Sequence, residues 1–548
     1  FGSDAASRFN SAFDEFAEEV DDTPMIKVED LSRVLSWLAY QMDATLVKVL
    51  CSDIDSGCAG LLTRDEFFVF MRRIRDREVA IIQRMSGADT DDVNALCVDC
   101  NALEEIARCL GEVPHSCDSV REAAANADIR MGSDGSHASP AQTWHFLDVY
   151  RRNEGFTQKQ IDEVYAAFFQ HASNGLTITS RLTMGKVLNS LGYSIAWHAR
   201  QQILATVDVR GSETFFRQGL LKVARVLRER EFARVREAFH LHTNTPHDGE
   251  KSSRVAVRKA FQDLGFECAD TSNVLSFSSF MEVALACGMR EREARRNQYG
   301  FSGHEMSLMK VDFDRHDVRG RGEISNNELC NLLTEMYPDV VVSKAARPKL
   351  LEFLPGPRGG DKFAFVDVLR LAMHLQFLRE EAKDTMEKEA MQKARFCLKE
   401  ADDMRDLFVR GGGAENGGLE LGDVASLLEG ALTRRQLEAM TNNFFRCIEL
   451  FSEKDGNILE FDGAKAHAHV VPGHSSFCGS LALENGTMQR LDFSAFLHFM
   501  RRLIDIGNEP ERRNSMAKVL QATTQDALPP VIERSSAQPC GAESSSRP

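Results

Sequence analysis

One short stretch of the sequence, residues 49–71, constrains the fold of this chain more than any other. Asp55 opens a twelve-residue loop in which Gly60 takes the sixth place. Leu62 takes the eighth place, Glu66 closes the loop, and an apolar run follows at once. In such a loop an acid begins the coordination of a cation, glycine permits a sharp turn, an aliphatic residue contacts a neighbouring loop and a carboxylate completes the ligand set. The spacing therefore predicts a helix–loop–helix unit built around a divalent cation.

This layout resembles the EF-hand of the calmodulin and troponin C family, whose loops bind calcium. The resemblance implies calcium ligands from three side chains and one backbone carbonyl: Asp55, Thr63, Glu66 and the carbonyl of Leu61. The third and fifth places hold Gly57 and Ala59, which have no side-chain oxygen. Since calcium takes ~6–8 oxygen ligands, the resemblance implies a weak calcium site in this loop.

The pattern recurs along the chain. Predicted helices end in a Leu-Gly-like step roughly every 70 to 80 residues, a spacing close to one pair of helix–loop–helix units. The steps are Leu38-Ala39, Leu110-Gly111, Leu191-Gly192, Leu264-Gly265 and Met336-Tyr337. The recurrence indicates a tandem repeat protein.

We therefore predict an all-α fold of about six tandem EF-hand-like helix–loop–helix pairs, mostly degenerate, with short two-strand contacts between the loops of each pair. The predicted pairs cover residues 1–80, 81–153, 154–230, 231–298, 299–385 and 386–507, the last of which includes a helical connector. The third pair is the most similar to a calmodulin lobe in outline. Its first loop has no carboxylate in residues 171–175, so no ion is expected there. Residues 508–548 are rich in Pro, Ser and Gln, which predicts a disordered tail.

A second loop keeps the EF-hand outline in residues 317–328. The resemblance implies calcium ligands among four of its residues: Asp317, Glu323, Ser325 and Glu328. The third and fifth places are Arg319 and Arg321, whose positive charges would repel a dication. We expect this loop to bind calcium less well than the loop that Asp55 opens.

Composition and motif searches exclude several classes of function. A net charge of -16 and a pI near 5.5 argue against nucleic acid as a partner, because phosphate binding needs clustered Lys and Arg. No run of about 18 apolar residues appears, so no membrane span is expected. No serine-hydrolase, zinc-protease or protein-kinase signature is present, so we expect no enzyme activity. The 13 scattered cysteines favour reduced thiols and a cytoplasmic location. The chain starts without an initiating Met, which predicts a fragment or a processed product.

The first functional hypothesis is a protein-interaction scaffold of the calcium-binding EF-hand family, which docks amphipathic helices of its partners and carries at most one or two weak calcium sites. The second is an ion-independent structural component of a cytoskeletal or ciliary assembly. The third is the regulatory part of a larger, truncated enzyme. The first two differ in whether the chain binds a helical peptide or a polymer lattice.

Overall fold

A computed structural model describes most of the chain. The described residues are 2–40, 42–52, 54, 60–85, 100–110, 117–129, 138–243, 253–266, 276–337, 362–429, 432, 434–452 and 490–507. The described residues form two compact units: those up to residue 385 form the first, and those of 386–452 and 490–507 form the second.

The protein is mostly helical, as the sequence predicts. The helices that begin in the first unit are α1 (Ser3–Phe16), α2 (Leu31–Trp37), α3 (Ala44–Ser52), α4 (Arg64–Met85), α5 (Cys100–Cys109), α6 (Cys117–Asn126), α7 (Pro140–Arg152), α8 (Gln158–His171), α9 (Arg181–Ser190), α10 (Trp197–Val207), α11 (Arg217–Thr243), α12 (Arg254–Asp263), α13 (Phe277–Asn297), α14 (Gly303–His316), α15 (Asn326–Met336) and α16 (Phe365–Ala394). Those that begin in the second unit are α17 (Leu398–Arg410), α18 (Leu421–Leu427), α19 (Arg434–Ser452) and α20 (Phe493–Gly507). None of the helices in the described ranges is both long enough and apolar enough to cross a membrane.

Several helices begin at a capping box. At the start of α8 the hydroxyl of Thr157 accepts a hydrogen bond from the Gln160 amide at 3.3 Å, and the Gln160 side-chain oxygen accepts one from the Thr157 amide at 3.0 Å. The same reciprocal arrangement starts α7, α13, α14 and α15, at the N-caps Ser139, Ser276, Ser302 and Ser325. Each box satisfies amides that the first helical turn leaves without a partner, so these short polar motifs fix where the helices start.

Three helix ends at Leu-Gly-like steps have a C-terminal motif that several other helix ends of the described residues also have. In each, a backbone amide donates to the carbonyl of the residue five positions earlier, and the residue just before the donor has a positive φ. The amide–carbonyl pairs are Tyr40–Leu35 at 2.8 Å, Tyr193–Leu188 at 3.0 Å and Phe266–Phe261 at 3.0 Å, preceded by Ala39, Gly192 and Gly265 with φ of 67°, 83° and 77°. These are three of the Leu-Gly-like steps found in the sequence, so a backbone requirement underlies that recurring signal.

The strands are short and antiparallel. They are β1 (Glu18–Val20), β2 (Thr23–Lys27), β3 (Leu61–Leu62), β4 (Glu323–Ser325) and β5 (Lys362–Ala364). β2 lies between β1 and β3 in one sheet, and β4 pairs with β5 in another.

Apolar residues of two separate loops meet at four places in the described residues. The antiparallel partners are Ile26 with Leu62, Ile178 with Phe215, Ile324 with Phe363 and Leu419 with Leu491. All eight side chains are buried. Each contact therefore pairs two stretches that lie just before helices, and both of its residues belong to one hydrophobic cluster.

The buried apolar side chains of the described residues fall into six clusters. Their members lie in residues 5–74, 82–150, 156–227, 235–284, 301–375 and 390–503, and the first cluster also includes Val209. Each cluster thus draws almost entirely on one continuous stretch of chain. The first five belong to the first unit and the sixth to the second unit.

Buried charges connect neighbouring clusters of the first unit. Glu154, which follows α7, accepts from Lys222 at 3.2 Å and from Arg225 at 2.5 Å, both on α11. The same two cations donate to backbone carbonyls at the end of α2, Lys222 to Trp37 at 2.6 Å and Arg225 to Ser36 at 2.7 Å. One buried carboxylate therefore holds together three stretches of chain that are distant in sequence.

Candidate functional site

In the first loop that resembles an EF-hand, the closing carboxylate caps its own helix. Asp55 lies outside the described residues. Glu66 accepts through Oε2 from the backbone amide of Thr63 at 2.8 Å and from its hydroxyl at 2.7 Å. Gly60 has φ 68°, the left-handed conformation that a sharp turn needs, and Leu61 lies in β3.

Calcium would compete with this cap. A closing glutamate binds calcium through both carboxylate oxygens, so Glu66 would have to release the Thr63 amide on binding. Losing a helix N-terminal cap costs about 0.5–2 kcal/mol, which lowers the net affinity of a loop already short of ligands. In the described part of this loop, calcium binding would therefore have to displace the cap that Glu66 makes.

In the second loop, the first carboxylate is occupied by backbone amides. Asp317 accepts through Oδ2 from Gly322 at 2.6 Å and through Oδ1 from Arg321 at 3.2 Å. Burial acts to raise the pKa of Asp317, but these amide hydrogen bonds outweigh it and hold the pKa below its ordinary value. The carboxylate therefore shapes the loop from within.

The other predicted ligands of the second loop also have internal partners. Glu328 accepts through Oε2 from the amide of Ser325 at 2.6 Å and so caps α15. The Ser325 amide and hydroxyl lower the pKa of Glu328, and the positive charge of Arg319 lowers it further. Glu323 lies 3.6 Å from the Lys362 ammonium across the β4–β5 pair. Positive charges of this chain, on Arg319 and Lys362, thus act on the carboxylates of this loop.

The second loop does not fit calcium. Its third and fifth residues, Arg319 and Arg321, are exposed cations next to the ligand positions, and the candidate oxygens are already engaged. Across the described ranges, no group of three or more His, Cys, Asp or Glu side chains is arranged to hold a metal ion.

A third loop contains a residue that the sequence analysis did not single out. Asp208 accepts from the amides of Ser212 at 2.8 Å and Glu213 at 3.1 Å, the fifth and sixth places of a loop whose eighth residue is the buried Phe215. Its Oδ2 also lies 3.2 Å from Nη2 of Arg181, and both side chains are almost fully buried. Counting seven places back from Phe215 would have identified Asp208, but nothing in the local sequence points to Arg181.

Asp208 and Asp317 make the same two backbone contacts, and a nearby arginine accompanies each loop. In both loops a carboxylate orders the turn through amides while a guanidinium supplies positive charge nearby. This arrangement stabilises a loop conformation and engages the carboxylate oxygens that a cation would need. A scan of protein-family models and a search of curated proteins gave no match to the chain.

Proposed function

We propose that this chain is an EF-hand-like repeat protein that acts as a scaffold for helical protein partners and has at most one or two weak calcium sites. The observation that carries the proposal is the repeated antiparallel contact between buried apolar loop residues, of which Ile26 with Leu62 and Ile324 with Phe363 are examples. In an EF-hand pair the eighth loop residues make this contact. The six separate apolar clusters also support an array of paired units.

The loops support a scaffold whose shape depends little on calcium. In calcium sensors, ion binding opens a helix pair and exposes a Met-rich groove. Here Met71, Met184 and Met500 are buried in the apolar clusters. The loop carboxylates Asp208 and Asp317 are held by amides of the same chain. A partner would therefore bind to outer helix faces.

Calorimetric titration of the whole chain with calcium tests the proposal, with Glu66→Gln and Glu328→Gln as matched variants of the two closing carboxylates. We expect at most a weak binding heat, lost in Glu66→Gln and unchanged in Glu328→Gln, because only the first loop lacks arginines at its third and fifth places. Several sub-micromolar sites, or heat that disappears in Glu328→Gln, would contradict it.

A second candidate function is an ion-independent structural component of a cytoskeletal or ciliary assembly. It is favoured by the ion pairs between neighbouring clusters, such as Arg8 with Asp148 at 2.9 Å and the contacts of Glu154. Such contacts suit a chain that must keep a fixed geometry. Co-sedimentation with microtubules and with actin filaments tests this function: the chain should pellet with one polymer in the presence of a calcium chelator, and its absence from both pellets would rule the candidate out.

A further inference from the structure

The outer side of α9 and α10 carries a helix from a distant part of the same unit. Arg200 on α10 donates from Nη1 and Nη2 to the two carboxylate oxygens of Glu380 on α16, at 3.1 Å and 2.7 Å. The side chain of Arg200 is 1% exposed and that of Glu380 is 14% exposed. A bidentate guanidinium–carboxylate pair fixes direction as well as distance, so this contact specifies how α16 lies on α10.

A glycine makes room for the guanidinium. A Cβ atom added at Gly185 on α9 would lie 2.8 Å from Cζ of Arg200, closer than side-chain atoms normally approach. Trp197 lies on α10, the helix of Arg200 itself. The centroid of its ring is 5.1 Å from Cζ of Arg200, a distance that permits a cation–π interaction. Arg200 is therefore held in a site made of a glycine, an aromatic ring and one carboxylate.

Two further contacts flank this ion pair. Lys186 on α9 places its ammonium 5.6 Å from the centroid of the Phe377 ring, and His198 on α10 has Nε2 3.2 Å from the ammonium nitrogen of Lys383. Phe377, Glu380 and Lys383 recur every third residue, and residues three apart on a helix are surface neighbours. We call the surface formed by Gly185, Lys186, Trp197, His198 and Arg200 the α9–α10 face.

The contact between α16 and the α9–α10 face lies between two separate apolar clusters, which share no members. The cluster beneath the α9–α10 face takes its residues from 156–227, and the cluster that α16 helps to form takes its residues from 301–375. Val368, Leu371 and Leu375 of α16 enter the latter cluster. The contacts given between α16 and the α9–α10 face are made by charged, histidine and aromatic side chains. Polar contacts of this kind resemble those of transient interfaces, so α16 can leave the face while both clusters stay folded.

We propose that the α9–α10 face is a binding surface for an amphipathic helix with a Phe-x-x-Glu pattern, and that α16 occupies this surface within the chain. The inference rests on the proposed scaffold function and names its class of partner. The glutamate of the partner pairs with Arg200 and its aromatic ring contacts Lys186. A partner helix of this kind competes with α16, so release of α16 controls access to the surface.

The test uses the full chain and a fluorescein-labelled peptide of residues 371–387, followed by fluorescence anisotropy. Glu380→Arg in the chain places a second guanidinium opposite Arg200 and should release α16, whereas Glu381→Arg, at an exposed neighbouring position, is the matched control. We expect the Glu380→Arg chain to bind the peptide at least ten-fold more tightly than either the unaltered chain or the control. Adding Arg200→Met should remove that gain.

Two results would overturn the inference. One is equal peptide binding by Glu380→Arg chains with and without Arg200→Met. The other is no gain in binding by the Glu380→Arg chain, with circular dichroism and thermal melting showing that it is folded. Either result removes the α9–α10 face as a partner site and leaves the scaffold proposal standing, because that proposal is tested by the calcium titration.

Discussion

At the scale of single residues, Glu154 is the carboxylate at which three distant stretches of the first unit meet. It is 2% exposed, adopts a left-handed backbone conformation with φ 51°, and contacts Lys222 and Arg225. A non-glycine residue with positive φ is strained, so the surrounding contacts must outweigh that cost. The carboxylate is the counter-charge of the buried Lys222 ammonium, and it shares the Arg225 guanidinium with Glu229.

Glu154→Gln should lower the free energy of unfolding of the first unit by about 3–5 kcal/mol, because removing one partner of a buried ion pair leaves the other charge uncompensated. The matched control is Glu229→Gln. Glu229 also binds Arg225, at 2.6 Å, but its side chain is 32% exposed, so its loss should cost about 1 kcal/mol or less. Urea unfolding followed by tryptophan fluorescence measures both, since all 3 tryptophans lie in the first unit. Equal losses in the two variants would contradict this view.

The stabilisation by Glu154 should depend on pH. Burial acts to raise the pKa of Glu154, but the charges of Lys222 and Arg225 outweigh it, so the folded-state pKa lies below the ordinary 4.5. The contribution is therefore complete above pH 4.5 and is lost as the pH falls through the folded-state pKa. The difference in unfolding free energy between the unaltered chain and Glu154→Gln should shrink as the pH falls below 4.5. A difference that stays constant over this range would refute the pH dependence.

At the scale of helices and loops, the sequence indicated the helices and the apolar loop residues. It did not indicate which distant residues their charged side chains contact. The eighth-place spacing of Leu62 and Ile324 predicted apolar loop contacts, and both residues lie in antiparallel ladders. The predicted helical character is confirmed. Arg181 could not be assigned to Asp208, because a lone arginine has no periodic pattern and its partner is set by tertiary packing. The EF-hand pairing itself remains a prediction.

Alanine substitutions at Gly265 and Gly192 distinguish the cost of backbone strain from the cost of a close contact, because both glycines have a positive φ at the end of a helix. Gly265→Ala should cost roughly 1–2 kcal/mol, because the φ is positive and a Cβ at 265 would meet no atom of the described residues within 4 Å. Gly192→Ala should cost clearly more, since its Cβ would lie 2.3 Å from the carbonyl oxygen of Arg292 on α13. Thermal unfolding of the two variants measures the difference. Equal losses would show that the approach of α13 to Gly192 contributes nothing.

At the scale of the whole molecule, periodicity in the sequence predicted a tandem organisation, and the buried apolar residues follow continuous stretches of chain. No periodic pattern in the sequence indicated the ion pairs that connect one stretch of chain with another. Arg8 pairs with Asp148, and Arg200 pairs with Glu380, at sequence separations of 140 and 180 residues. Charged residues are frequent along a helical surface, so the sequence alone offers many equivalent pairings.

The two compact units should unfold as separate transitions in differential scanning calorimetry, because each has its own hydrophobic core. Phe408→Ala should destabilise only the second unit, by about 3–5 kcal/mol, as Phe408 is 1% exposed and packs against Phe493 and Phe496. Glu154→Gln should move only the other transition, which tryptophan fluorescence also follows. One transition that both substitutions shift together would contradict the division.

The absence of a side chain at Gly185 has a consequence for anyone who alters or compares sequences of this kind. A single methyl group there would displace the Arg200 guanidinium and so weaken a contact with a helix almost two hundred positions further along the chain. Such a change would uncouple two regions while each stayed folded, and a stability screen would score it as mild. Only an assay that measures whether α16 stays bound to the α9–α10 face would detect the effect.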